Sequence, residues 1–336
     1  MLSFQDISGH EQIIEHLQNA IQQNKVSHAY IFNGEKGSGK KLLATTFAKT
    51  LQCEEGGIEP CMKCKSCIQT DSMNQPDIIR VTHEKAGITV DDIRQQINSD
   101  IEIKPYSSKY KIYIIDEAEK MNEAAQNALL KTIEEPPEYA VILLLADNAE
   151  RLLPTILSRC ILLNLKPVST EQIKKHLMEK RGFTDYQAEI SADFAQGNLG
   201  KAIRYAASED FLAMKEDALR LLRKIDDMQL PELVEHIKSF TDHKLEVNDY
   251  IDLMILWYRD VLMFKVTNNP NVIMFKEELS YIKKQASVRD YEGIENVING
   301  MEKAKMRIKA NVNFDTTIEL MLLTIKENGH GESSRG

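Results

Sequence analysis

The sequence predicts an α/β fold, a parallel sheet with helices on both faces, followed by an all-helical second half. Three observations carry that reading. Short apolar runs alternate with amphipathic stretches up to about residue 166, the first run opens into a glycine-rich turn, and strand signals fade from residue 167 onward. Alternating strand and helix patterns point to a parallel sheet, because parallel neighbours need a crossover helix between them.

HAYIFNG (28–34) reads as a strand entering the glycine turn, and KLLATTFAKTLQ (41–52) as the helix that leaves it. DIIRVT (77–82), KIYIID (111–116) and AVILLLA (140–146) are further runs of strand length. Asn122 is placed to cap a helix that Pro136-Pro137 ends. From Pro167 the pattern changes. STEQ (169–172) is a capping sequence, and the stretch to about residue 208 has room for three short helices, with QGNLG (196–200) turning into the last. Within 247–265, Tyr250, Met254, Trp257, Val261 and Phe264 recur at helical spacing. Ile251, Leu253, Ile255, Leu256 and Leu262 leave that helix little polar face, so it is either central in its domain or covered by another subunit. No internal repeat is evident.

Length and composition set the frame. At 336 residues the chain exceeds one comfortable core, and 43% hydrophobic with 28% charged residues is ordinary for a soluble globular protein. The formal net charge of -9 argues against a stand-alone grip on duplex DNA, so any nucleic-acid contact is expected to be local or shared with partners. The opening MLSFQDISGHEQ has neither a basic n-region nor an apolar h-region, so no signal peptide is expected. The run Val141 to Ala146 is far too short to span a bilayer. A cytoplasmic protein without membrane contact is expected.

Gly34-Glu-Lys-Gly37-Ser-Gly39-Lys40 matches the P-loop up to its lysine. The glycines let backbone N–H groups turn inward on phosphate oxygens, and Lys40 is the residue that reaches the β and γ phosphates. A P-loop then needs Ser or Thr to place a hydroxyl on Mg²⁺, and here the residue is Lys41. A second ammonium repels the metal, so nucleotide binding is doubtful and hydrolysis is expected to be badly impaired. Asp116 and Glu117, closing KIYIID, stand like the carboxylate that holds Mg²⁺ through water and the base that orients the attacking water. Without a P-loop upstream, the same pair would be no more than a charge at a helix start.

Four of the five cysteines form C-x7-C-x2-C-x2-C: Cys53, Cys61, Cys64 and Cys67. Two-residue gaps let neighbouring thiolates close on one ion, and four thiolates complete a tetrahedral structural zinc site with no open position. An iron–sulfur cluster is the alternative, although the fourth cysteine and proline of a ferredoxin run are absent. Free buried thiols are a third reading, but Glu59, Pro60, Lys63, Lys65 and Ser66 make the segment polar. Cys160 stands apart and is expected to pack in the sheet region.

Three stretches then carry a resemblance. QNALLKTIEEPPEYAVILLLA (126–146) followed by LLPTILSRC (152–160), the opening GHEQIIEHLQNAI with HAYIFNGEKGSGK (9–40), and the cysteine module are together similar to the AAA+ clamp-loader subunits of bacterial DNA polymerase III. The motifs cover roughly the first half of the chain. The resemblance implies a RecA-like α/β domain with a zinc insertion (1–166, cysteine module 53–67), a three-helix lid (167–208), a helical collar domain for oligomerisation (209–328) and a disordered tail (329–336). It also implies membership of a hetero-pentamer that opens the ring-shaped sliding clamp and loads it on primed DNA in DNA replication.

Within that family some subunits are ATP-hydrolysing motors, and the delta-prime branch does not hydrolyse. QGNLGKAI (196–203) puts Gly200 where motors resemble an arginine contributed by the lid, with Lys201 beside it. Together with Lys41 this implies the delta-prime branch. An active gamma- or tau-like motor, or another AAA+ remodeller that tolerates Lys41, is the alternative. Ser158-Arg159-Cys160 matches the family's arginine-finger motif, which implies that Arg159 acts in trans on a neighbouring subunit's ATP.

Overall fold

The computed structural model describes residues 3–83, 87–208, 210–229, 232 and 247–329. The chain divides into two compact units, residues 1–207 and 208–336.

The first unit is built on five strands, β1 (Ala29–Asn33), β2 (Ile78–Val81), β3 (Lys111–Ile115), β4 (Ala140–Ala146) and β5 (Ile161–Asn164). They pair in the order β2-β3-β4-β1-β5, and every pair is parallel. Residues in β1, β3 and β4 alternate between two apolar clusters. Ala29, Ile31, Tyr113, Ile115, Ile142 and Leu144 face one, and Tyr30, Phe32, Ile112, Ile114, Val141, Leu143 and Leu145 face the other. Both faces of these strands are buried, which is why they read as continuous apolar runs in the sequence. β5 is not among the runs read as strands. Only Leu163 is buried in it, and as the edge strand it needs neither an apolar run nor clean alternation.

Helix α1 (Glu11–Gln22) precedes β1, and α2 (Lys40–Leu51) leaves the glycine loop with Gly39 as its N-cap. A short α3 (Lys65–Asp71) follows the cysteines, and α4 (Val90–Ile93) precedes β3. Asn122 caps α5 (Glu123–Glu134) by accepting the Ala125 N–H, and a single turn, α6 (Pro154–Leu157), precedes β5. Three helices then close the unit: α7 (Thr170–Arg181), α8 (Asp185–Ala195) and α9 (Leu199–Ala207). Ser169 caps α7 through the Gln172 N–H, and Thr184 and Gln187 form a capping box at α8.

Among the described residues the second unit is helical, with segments Asp210–Lys224, Val247–Thr267, Leu279–Val288, Tyr291–Lys309 and Phe314–Glu327. Val247–Thr267 lies at its centre. Trp257 is fully buried and donates through Nε1 to Gln285 Oε1 at 2.8 Å, and Gln285 Nε2 in turn reaches the Leu222 carbonyl at 2.9 Å. Of the two readings of this helix, the central one therefore holds within the chain itself. The expectation of disorder concerns mainly residues 330–336, which lie outside the described residues. No helix among the described residues is long and apolar enough to cross a membrane.

Candidate nucleotide and metal sites

The glycine loop sits at the carboxyl end of β1, between the ends of β4 and β5. Gly37 (φ +92) and Gly39 (φ +103) adopt left-handed backbone that only glycine takes readily, so the loop folds tightly onto the start of α2. Lys40 bends back into the loop. Its ammonium donates to the carbonyls of Gly34 and Glu35 and lies 2.7 Å from Asp147 Oδ1, at the end of β4. Lys41 points the other way and pairs with Asp116 Oδ2 at 3.1 Å. Arg80, on the neighbouring β2, also lies within electrostatic reach of Asp116, which offsets the lowering of its pKa by burial. Asp116 is thus paired with one cation and within the field of a second. Glu117 is engaged as well, in an ion pair of 2.7 Å with Lys120.

The three-helix segment meets the loop directly. The Gly200 N–H donates to the Gly37 carbonyl at 3.0 Å, and a Cβ at Gly200 would lie 2.7 Å from that oxygen. No side chain fits there. Asn198 Nδ2 donates to the Lys36 carbonyl at 2.9 Å, while its Oδ1 accepts the Lys201 N–H. From the other side, His10 Nε2 donates to the Ser38 carbonyl at 2.9 Å, and burial lowers the pKa of that imidazole.

Arg159 is far from this site along the sheet. β5 runs parallel to β1 with Ile161 opposite Tyr30, so the chain enters β5, two residues after Arg159, at a level four residues before Gly34, about 13 Å at the usual rise per strand residue. Its guanidinium is partly exposed and is held by Glu134 (3.0 Å), the Thr155 carbonyl (3.0 Å) and Ser158 Oγ (3.2 Å). Neighbouring Cys160 is half-buried against the core, and burial pushes its thiol up to about 12.

The four clustered cysteines converge. The Sγ atoms of Cys53, Cys61, Cys64 and Cys67 all lie within 4.8 Å of one another. Tetrahedral ligands at about 2.3 Å from one ion sit about 3.8 Å apart, so sulfurs within 4.8 Å need only a small contraction to close on a single ion. Backbone N–H groups are aimed at the sulfurs: Cys61 to Cys53 (3.3 Å), Cys64 to Cys61 (3.3 Å) and Cys67 to Cys64 (3.4 Å). Such donors favour thiolates, and with the Lys63 N–H as the largest cause the Cys61 thiol falls to about 7. Cys53 and Cys67 are buried; of the polar residues around them Lys63 and Lys65 are exposed, whereas Ser66 is buried. Burial raises both thiols, which a bound cation would reverse. The module is fastened to the unit by Glu59, which accepts from the Phe4 N–H and Gln18, and by a Lys49–Asp71 ion pair.

Asp147, Asn198 and Arg80 were not among the residues singled out from sequence. Each acts through a neighbour that only the folded sheet or the docked helices supply.

A parallel sheet in this order, a phosphate loop with a lysine, an acidic strand end beside it and three docked helices define the AAA+ class of P-loop proteins. Residues 9–169 match the family described as DNA polymerase III, delta subunit. The chain is 30% identical over 318 residues to DNA polymerase III subunit delta' of Bacillus subtilis, covering 94% of this chain and 95% of that protein. It is 28% identical over 351 residues to subunit tau of the same organism, covering 97% of this chain and 62% of tau. Against subunit tau/gamma of Haemophilus influenzae it is 38% identical over 204 residues, covering 59% of this chain but 29% of that protein. The chain belongs to the family of DNA polymerase III clamp-loader subunits and is delta-prime-like.

Proposed function

We propose that the chain fills the delta-prime role in a heteropentameric clamp loader. It is a rigid subunit that hydrolyses no ATP itself, helps open the sliding clamp for loading on primed DNA, and presents Arg159 to ATP held by its neighbour. The observation that carries this reading is the Lys41–Asp116 pair at 3.1 Å. A P-loop protein needs a hydroxyl and a carboxylate sharing one Mg²⁺. Here an ammonium takes the place of the hydroxyl and binds the carboxylate, leaving the metal no vacancy. Gly200 supports the same reading, because its approach to Gly37 leaves no room for a lid arginine. The motor alternative would need both features to be tolerated.

The cysteine cluster is read as a structural zinc site, four thiolates being a closed set for that ion. The helices from residue 209 onward are read as the collar through which the subunits assemble.

The test is steady-state phosphate release by the purified chain with ATP and magnesium. Negligible turnover is expected. Turnover at ordinary AAA+ rates, abolished by Lys40→Ala, would overturn the assignment.

A further inference from the structure

The phosphate loop retains what it needs to hold an anion. The N–H groups of Gly37, Gly39, Lys40 and Lys41 donate to no acceptor among the described residues, and they open the N-terminus of α2, a helix of 12 residues. Unsatisfied donors at a helix start are a phosphate site in waiting. The lysine that belongs to that site is present but occupied. Asp147 Oδ1 lies 2.7 Å from Lys40 Nζ, with the Lys40 side chain only 9% exposed and that of Asp147 31%. The Asp147 backbone is itself fixed, its N–H donating to Glu119 Oε2 at 3.1 Å. The loop is also tied down from outside. Asn198 spans from the Lys36 carbonyl to the Lys201 N–H, beside the Gly200–Gly37 hydrogen bond, and a Cβ on Gly37 would meet Asn198 Oδ1 at 2.6 Å.

We infer that this is a latent nucleoside-diphosphate site kept shut by the chain's own residues, Asp147 as an internal anion on Lys40 and Asn198 as a latch between the lid helices and the loop. Asp147 does to Lys40 what a phosphate would do, and its negative charge repels an incoming phosphate. Asn198 fixes the angle of α9 on the loop through its bonds to the Lys36 carbonyl and the Lys201 N–H. Closure is therefore separate from the loss of hydrolysis: Lys41 disables the metal side, whereas Asp147 and Asn198 shut the phosphate side. The inference extends the reading of a non-hydrolysing subunit but stands apart from the clamp-loader role, since it concerns the isolated chain.

The experiment is titration of the full-length chain with fluorescent N-methylanthraniloyl-ADP in the absence of magnesium, which removes Lys41 from the question. The wild-type chain is expected to show no saturable binding up to millimolar ligand. The Asp147→Asn/Asn198→Ala variant, at unchanged metal content and helicity, is expected to bind at least about tenfold more tightly, and adding Lys40→Ala should abolish the gain. Saturable micromolar binding by the wild type, lost on Lys40→Ala, overturns the inference. So does a folded double variant that binds no better than wild type. The latch has its own readout: amide exchange at Gly200 should speed up by about tenfold or more in Asn198→Ala. Equal rates would remove Asn198 from the account.

Discussion

The ammonium of Lys41 and the carboxylate of Asp116 stand 3.1 Å apart, joining the first turn of α2 to the end of β3 at the place where a P-loop protein assembles its metal. Both side chains are about half exposed or more, so the pair adds little to stability. Its effect is on chemistry. Lys41→Thr is expected to leave the chain well below ordinary AAA+ turnover, because Asp147 still holds Lys40 and Gly200 still supplies no arginine. Phosphate-release kinetics of the single variant check this. Full motor activity from that one change would contradict the account of the site.

Arg159 is expected to act on a neighbouring chain and not on this one. An arginine finger is typically worth about 10³–10⁵ in rate. Arg159→Ala should leave folding, metal content and assembly unchanged while lowering clamp- and DNA-stimulated hydrolysis in a reconstituted loader, by less if other interfaces keep their own fingers. Arg159→Lys should fail almost as badly, since a point charge lacks the planar fork. Wild-type turnover in the alanine complex would leave Arg159 as a surface residue paired with Glu134.

One zinc ion per chain is expected from elemental analysis of reduced, folded protein. Because the ligands bind as thiolates, the metal should be kept near neutral pH and released on acidification as protons compete for the sulfurs. Cys64→Ser should lower the unfolding temperature of the 1–207 unit and leave the helical 208–336 unit as it was. Iron with sulfide, or no metal at all, would overturn the zinc assignment.

Trp257 is the sole tryptophan, so its emission reports on one place. Its burial and its bond to Gln285 predict a blue-shifted maximum in the isolated chain. Trp257→Ala should cost about 3–5 kcal/mol in denaturant unfolding. A fully water-exposed emission maximum would contradict the placement.

What the sequence made legible was local. The glycine loop, the C-x2-C-x2-C run and the stripe from Tyr250 to Phe264 each lie within one element or one turn, where spacing alone fixes geometry. The Lys40–Asp147 pair spans 107 positions and exists because the sheet order sets β4 beside β1. Nothing in DNAERL marks Asp147 until that order is known. Asn198 was read as part of a turn, which it is, but its partner carbonyl at Lys36 belongs to a loop 162 residues away. β5 escaped for a related reason: an edge strand with one buried residue carries almost no periodic signal.

Lys49 is 1% exposed, deep in the last turns of α2, and its ammonium is answered by Asp71 of α3. Losing one partner of a buried ion pair is costly, because the remaining charge keeps its desolvation penalty. The segment that carries the cysteines is therefore a keystone and not a pendant: pulling it away would break the Lys49–Asp71 pair at the foot of α2. α2 is a single rigid rod with the phosphate loop at its head and this buried ion at its foot. Damage at the cysteines should accordingly be felt along its whole length, so oxidation of the thiols would loosen the α/β scaffold from below while every residue of the loop stayed chemically intact.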